Sequence, residues 1–185
     1  LGKPILGTAK SIAAMTTSQV KSYYQNKYSG NNIIVSGAGC LDHQDLVEAV
    51  KKLLGKKTKR RIHQDRKKPH HKPVRFAIEK PSEQLHLLMG FPCPSYRDRM
   101  RFEAFIVNAL LGGGMTSKLY QSVREKRGLV YSIYSMLNTF EDFGLIQVYA
   151  SCEKKNMKKV FELISAELHR LMKHKISEHD LELYK

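Results

Sequence analysis

Residues Leu110–Ser135 read L-L-G-G-G-M-T-S-K-L-Y-Q-S-V-R-E-K-R-G-L-V-Y-S-I-Y-S, and a change of period inside them decides the fold class. The run leading into them, from Asp98 through Phe102, Phe105, Ile106, Ala109 and Leu110, repeats at helical spacing, and Gly112-Gly113-Gly114 stops it. Ser117 is placed to cap a short helix over Lys118–Arg127, which Gly128 closes. From Leu129 onward the residues turn β-branched and aromatic. Leu129–Phe140 and Phe143–Ser151 flank Glu141-Asp142 and predict a hairpin. Met157, Val160, Phe161, Ile164, Leu168 and Leu171 then form the cleanest amphipathic stripe in the chain. Ser177-x-x-Asp180 has the form of a capping box opening a last helix, within which the sequence ends at Lys185.

Upstream of the decisive stretch, Leu85, Leu87, Met89 and Phe91 alternate with Gln84, His86, Leu88 and Gly90, a strand expected to end at Pro92–Pro94. Val74–Glu79 alternates more weakly. Strands followed by a packing helix predict an α+β fold, a largely antiparallel sheet with helices on one face. Farther back, Thr16-Thr17-Ser18 caps a helix running toward Gly30, and Asn32–Ser36 predicts a short buried strand. Asp42 caps a helix carrying Leu46, Val47, Val50, Leu53 and Leu54. This helix–strand–helix piece is too small for a domain and reads as the tail of one.

Between the two regions lies most of the charge. The 185 residues hold 32 Lys+Arg and 17 Asp+Glu, a net of +15. Residues 51–75 alone hold twelve Lys and Arg against Asp65, a local net of +11, which leaves +4 for the rest. Gly55–Pro73 has almost no apolar residue and neither period, so self-repulsion makes it a solvated linker. No aromatic residue interrupts it to stack a base, so a basic nucleic-acid-binding module is a less favoured alternative. The expected organisation is 1–54, the end of one domain; 55–73, a basic linker; and 74–185, a second α+β domain. Nothing approaches the roughly 18 consecutive apolar residues of a membrane span, and no charged segment precedes an apolar run at Leu1. A cytoplasmic setting is favoured, with an upstream export signal left open, because the sequence starts at Leu1 rather than Met and reads as cut at both ends. Cys40, Cys93 and Cys152 are odd in number and far apart, as expected of partly buried thiols in a reducing compartment.

Chemistry is sparse. The eight histidines, His43, His63, His70, His71, His86, His169, His174 and His179, form no H-E-x-x-H or H-x-x-E-H, so no metal site is expected in these residues. In Gly112–Lys118 the lysine follows serine and the glycines follow a helix, unlike a phosphate-binding loop. The glycines read either as a helix cap with a mobile joint or as a loop at the mouth of a site. Arg124 and Tyr131 flank the Gly128 turn, and a helix–Gly–strand connection can bring a guanidinium and a phenol to one end of a sheet. Both can donate hydrogen bonds to a carbonyl or a developing oxyanion. The alternative is a solvated arginine and a half-packed tyrosine.

Three stretches together, Leu1–Thr8 (L-G-K-P-I-L-G-T), Tyr23–Gly39 (Y-Y-Q-N-K-Y-S-G-N-N-I-I-V-S-G-A-G) and Leu110–Ser135, resemble the zinc metallopeptidases of the pitrilysin, insulinase and mitochondrial processing peptidase type. The resemblance runs over essentially the whole chain and is loosest in the linker. It implies two homologous α+β halves closing as a clam-shell around a peptide-sized chamber. This chain would be the end of the first half, the linker and most of the second half. The zinc of the full-length parent would sit in the first half on an inverted H-x-x-E-H motif and a downstream Glu, none of which is present here, so no cofactor is expected in this piece. The family's Arg/Tyr pair matches Arg124 and Tyr131, which would meet the substrate near the scissile carbonyl as catalytic residues. Its glycine-rich, substrate-handling loop falls at Gly112, Gly113 and Gly114, in a short version. The implied function is metal-dependent hydrolysis of peptides, with this part binding substrate and inactive alone. The partners are peptide substrates and the metal-bearing half, in cis or as a homologous subunit in trans. The alternative is a non-catalytic subunit of a heterodimeric peptidase.

Overall fold

The computed structural model describes residues 4–55 and 69–184. Leu1–Lys3, Lys185, His63 and most of the expected linker lie outside the described residues. The chain divides into two compact units, Leu1–Asp65 and Arg66–Lys185.

In the first unit, local capping chemistry sets three helices. Thr8 and Ser11 cap each other reciprocally at the start of α1 (Ala9–Ala13), and Thr16 and Gln19 do the same for α2 (Thr17–Lys27). The Asp42 carboxylate accepts from the Gln44 and Asp45 N–H groups at 2.7 and 3.2 Å and opens α3 (His43–Leu54). The strand expected at Asn32–Ser36 does not form. Gly30–Asn32 is a 3₁₀ turn, Ile33 after it is extended but Ile33–Ser36 join no sheet, and Ile34 is 97% exposed. A strand needs a neighbour to receive its N–H and C=O groups, and the described part of this unit is otherwise helical.

The second unit is built on three strands, β1 (Leu85–Cys93), β2 (Ser132–Thr139) and β3 (Gly144–Cys152), antiparallel in the order β1-β3-β2. The expected hairpin is β2–β3, closed where the Phe140 N–H donates to the Phe143 carbonyl. β1 runs on through Pro92 instead of stopping there, because an edge strand tolerates a residue without an N–H. Val74–Glu79 forms no strand: Pro73 and Pro81 bracket it, and Val74, Phe76 and Ile78 stay exposed.

Two helices, α4 (Arg101–Gly112) and α5 (Met157–Lys173), cover one face of this sheet. Leu111, Leu119 and Val123 pack with Ile133, Val148 and Ala150 of the sheet and with Val160 and Ile164 of α5. Each of the Leu, Ile and Val side chains among them contributes about 1.5–3 kcal/mol on full burial. The apolar stripes are narrower than their periods predict, since Phe102 and Phe105 of α4 and Phe161 of α5 are exposed at the margins. Asp98 does not start α4 itself. Its carboxylate takes the Met100 N–H at 2.9 Å and shapes the turn before the helix. The last helix, α6 (Glu178–Tyr184), begins where the Ser177 hydroxyl accepts from the Asp180 N–H at 3.1 Å.

Candidate functional site

The end of α4 lies against β2, and glycine permits the approach. A Cβ on Gly112 would run into the Ser135 backbone nitrogen. Ser135 fastens the same contact from its side, its hydroxyl donating to the Asn108 carbonyl at 3.0 Å. Gly113 and Gly114 then turn the chain into Lys118–Leu119 and a π-helical turn, Tyr120–Glu125, in which the Lys126 N–H donates to the Gln121 carbonyl. Ser117 does not cap this turn. It is fully buried, and its hydroxyl has no partner among the described residues; its backbone carbonyl takes the Gln121 N–H instead.

Between the glycines, the π-helical turn and the start of β2 is a cavity of about 400 Å³. Gly112, Gly113, Gly114, Met115, Tyr120, Arg124 and Ser132–Ser135 line it. The Arg124 guanidinium carbon sits 5.0 Å from the Tyr120 ring centroid, a cation–π arrangement that steadies the side chain. Among the described residues no acceptor takes the Arg124 side-chain N–H groups, so its donors remain available to a ligand. Gly128, at φ +59°, reverses the chain after this turn, and its N–H donates to the Arg124 carbonyl at 2.9 Å.

Tyr131 follows that reversal but is not part of the cavity lining. Its backbone N–H donates to the Ser151 carbonyl at 2.8 Å, which places it at the cavity's end of the sheet, and its side chain is 53% exposed. The phenol's electrostatic neighbour is Lys155, whose ammonium is held protonated mainly by its hydrogen bond and charge pairing with Glu153 and least by Tyr131. The structure therefore brings Gly112, Gly113, Gly114 and Arg124 together and leaves Tyr131 beside them. It adds Tyr120, Ser132 and Tyr134, which sequence reasoning missed. Tyr120 was findable, four residues before Arg124 on a helical turn.

A clasp fixes the far side of the glycine loop. Lys118 Nζ pairs with Asp180 Oδ1 at 2.9 Å, and the Tyr184 hydroxyl donates to the Thr116 carbonyl at 3.0 Å. The Lys118 hydrogen bond, followed by the Ser177 hydrogen bond and the nearby positive charges, holds the Asp180 carboxyl below its usual range, against the opposing effect of burial.

A zinc ion needs three or four converging His, Cys, Asp or Glu side chains, and among the described residues no group of three is placed to hold a metal. The described residues do not fit a zinc site. The thiols are also dispersed. Cys152 is buried, and burial followed by Glu153 raises its pKa; burial alone raises that of Cys93; Cys40 is exposed rather than partly buried.

Residues 14–185 match the sequence profile of the family described as Peptidase M16 inactive domain. An uncharacterized zinc protease of Streptomyces coelicolor is 33% identical over 98% of the chain and 41% of its own length. Another from Bacillus subtilis is 29% identical over 98% of the chain and 44% of its own length. The chain thus spans about two fifths of the length of these relatives. Among solved structures, a peptidase M16 inactive domain from Pseudomonas fluorescens superposes with a TM-score of 0.85 at 23% identity, covering 96% of this chain and 44% of that one. A protease from Helicobacter pylori gives 0.78 at 18% identity, covering 97% and 45%. These two likenesses bear on the fold.

Proposed function

The chain belongs to the peptidase M16 family through its inactive domain, and on that premise we propose that it is the substrate-binding, metal-free region of a zinc-dependent endopeptidase. Residues 1–54 belong to the metal-bearing half, 55–73 link the halves, and 74–185 form the second half. The two halves, in cis or in trans, enclose a chamber for unstructured peptides, and the zinc of the full-length protein resides in the other half. The helices of the first unit bury no residue at all, which supports their belonging to a larger half.

The observation that carries this reading is the cavity where Arg124, steadied on Tyr120, faces the glycine loop at the start of β2. A guanidinium with free donors at the lip of a cavity can hold a peptide carbonyl and stabilise negative charge as it develops there. Tyr131, at the same end of the sheet, adds a phenolic donor once substrate draws it over the cavity. Gly112, Gly113 and Gly114 let the substrate backbone approach without a side chain in the way.

The test compares the full-length protein with this chain alone. The full-length protein should bind one equivalent of zinc and cleave unstructured peptides in a chelator-sensitive manner, and the chain alone should do neither. Chelator-sensitive cleavage by the chain alone, or none by the full-length protein, contradicts the reading. Tyr131→Phe should lower kcat by about tenfold, less than the roughly hundredfold of a donor already in place, because Tyr131 stands outside the cavity lining until substrate draws it in; a wild-type kcat removes the tyrosine from the mechanism.

A further inference from the structure

The face of the sheet turned away from α4 and α5 has an unusual composition. None of the residues of β1, β2 or β3 is Asp, Glu, Lys or Arg, in a chain where these make up 26%. Water-facing sheet surfaces are ordinarily polar, and edges carry charges, lysine above all. The strand alternation instead sets His86, Leu88, Tyr134, Met136, Gln147 and Tyr149 on the open face.

The register places Leu88 and Tyr134 on either side of Tyr149. The Tyr134 and Tyr149 ring centroids are 4.9 Å apart with planes inclined by 31°, and those of Tyr149 and His86 are 6.0 Å apart at 29°. A hydrogen bond of 2.8 Å joins the Tyr149 hydroxyl to His86 Nδ1. Three rings thus form a shelf across all three strands, with the middle ring pinned and little of its freedom left to lose on binding. Leu88, 59% exposed, extends the shelf toward solvent. At the other end Tyr134 also lines the Arg124 cavity, so the two are continuous.

We propose that this shelf is a subsite for a large uncharged side chain, aromatic above all, of an extended peptide whose adjoining residues occupy the Arg124 cavity. The proposal rests on the peptidase reading and specifies the kind of substrate that site takes. Rings spaced in this range receive a further ring edge-on or offset. Tyrosine and methionine without charge are the composition of a desolvated interface centre. A charged side chain placed here would lose its water with no opposite charge on the three strands to replace it. Among the described residues β2 is a sheet edge, so an extended peptide can add to it and direct alternate side chains over the open face.

The full-length protein is tested with fluorescein-labelled peptides identical except at one scanned position, which is Phe, Gly, Lys or Glu. Dissociation constants come from anisotropy, and kcat and KM from cleavage of the same set. At one position Phe should be preferred over Gly by about tenfold in Kd and KM, the size expected for burying a phenyl group. Tyr149→Leu should reduce that preference to about twofold. Leu88→Lys, at an exposed position that does not threaten folding, should shift the preference toward Glu. No position favouring Phe in the wild type, or a Phe preference that survives both substitutions, overturns the subsite. If a Phe preference in binding persists without any cleavage, the subsite stands and the peptidase reading alone fails.

Discussion

In Arg66–Lys185, Leu110, Leu111, Leu119, Val123, Val148, Val160 and Ile164 are removed from water almost entirely, while the helices of Leu1–Asp65 bury no residue. Both regions contain amphipathic helices with well-formed N-caps. The difference lies in the sheet: the second unit has three strands against which an apolar stripe can close, and the described part of the first has none. Capping and periodicity are enough to shape a helix, but most helical stability comes from the surface that an apolar face covers.

The sharpest way to break this comparison is to empty each region in turn. Ile164→Ala should destabilise the chain by about 2–5 kcal/mol in a denaturant titration, because the lost contacts leave a cavity. Ile34→Ala should change stability by no more than about 0.5 kcal/mol, as an exposed substitution does. Equal losses would show that the first unit has a core of its own. Gly112→Ala should cost about 1–3 kcal/mol, since the added methyl group collides with the β2 backbone beside Ser135.

The clasp between α6 and the glycine loop predicts a smaller effect with a pH signature. The Asp180 pKa is lowered in the folded state, so its contribution is fully present above the ordinary carboxylate range, near pH 4. It is lost as pH falls through the depressed folded value. Asp180→Asn should remove about 1 kcal/mol or less at neutral pH, because the pair is partly exposed. The difference from wild type should vanish in acid; one that grows there contradicts the assignment. Smallest of all, Ser117→Ala should be neutral or slightly stabilising in the same titration, because the buried hydroxyl it removes makes no hydrogen bond among the described residues. A loss above about 1 kcal/mol would show that this hydroxyl is satisfied after all.

What was legible in the sequence is what local chemistry decides. The caps at Thr16 and Asp42, the Glu141-Asp142 turn, the alternation of β1 and the Val160/Ile164 stripe depend on residues within a few positions of one another. The failures are non-local. Asn32–Ser36 has the composition of a strand, but pairing requires a partner that composition cannot supply. The period in Phe102–Leu110 locates an apolar face without fixing its width, so Phe102 and Phe105 were expected inside and lie outside. Within the site, the pairing expected from the sequence is Arg124 with Tyr131, and Tyr131 lies outside the cavity lining; Arg124 instead lines it with the three glycines, a grouping set by the turn between them that no local pattern announced. The Tyr134–Tyr149–His86 shelf depends on the register across all three strands, and a shift of one residue would turn each ring to the other face.

The central claim is that Arg124, at the lip of the cavity, acts on the bound peptide. Its most direct test is kcat/KM of Arg124→Ala in the full-length protein, measured alongside its unfolding midpoint. The account predicts a fall of about a hundredfold or more, the scale of removing one oxyanion donor, with an unchanged midpoint because Arg124 is exposed and rests on the Tyr120 ring. A wild-type kcat/KM in a normally folded variant would contradict it.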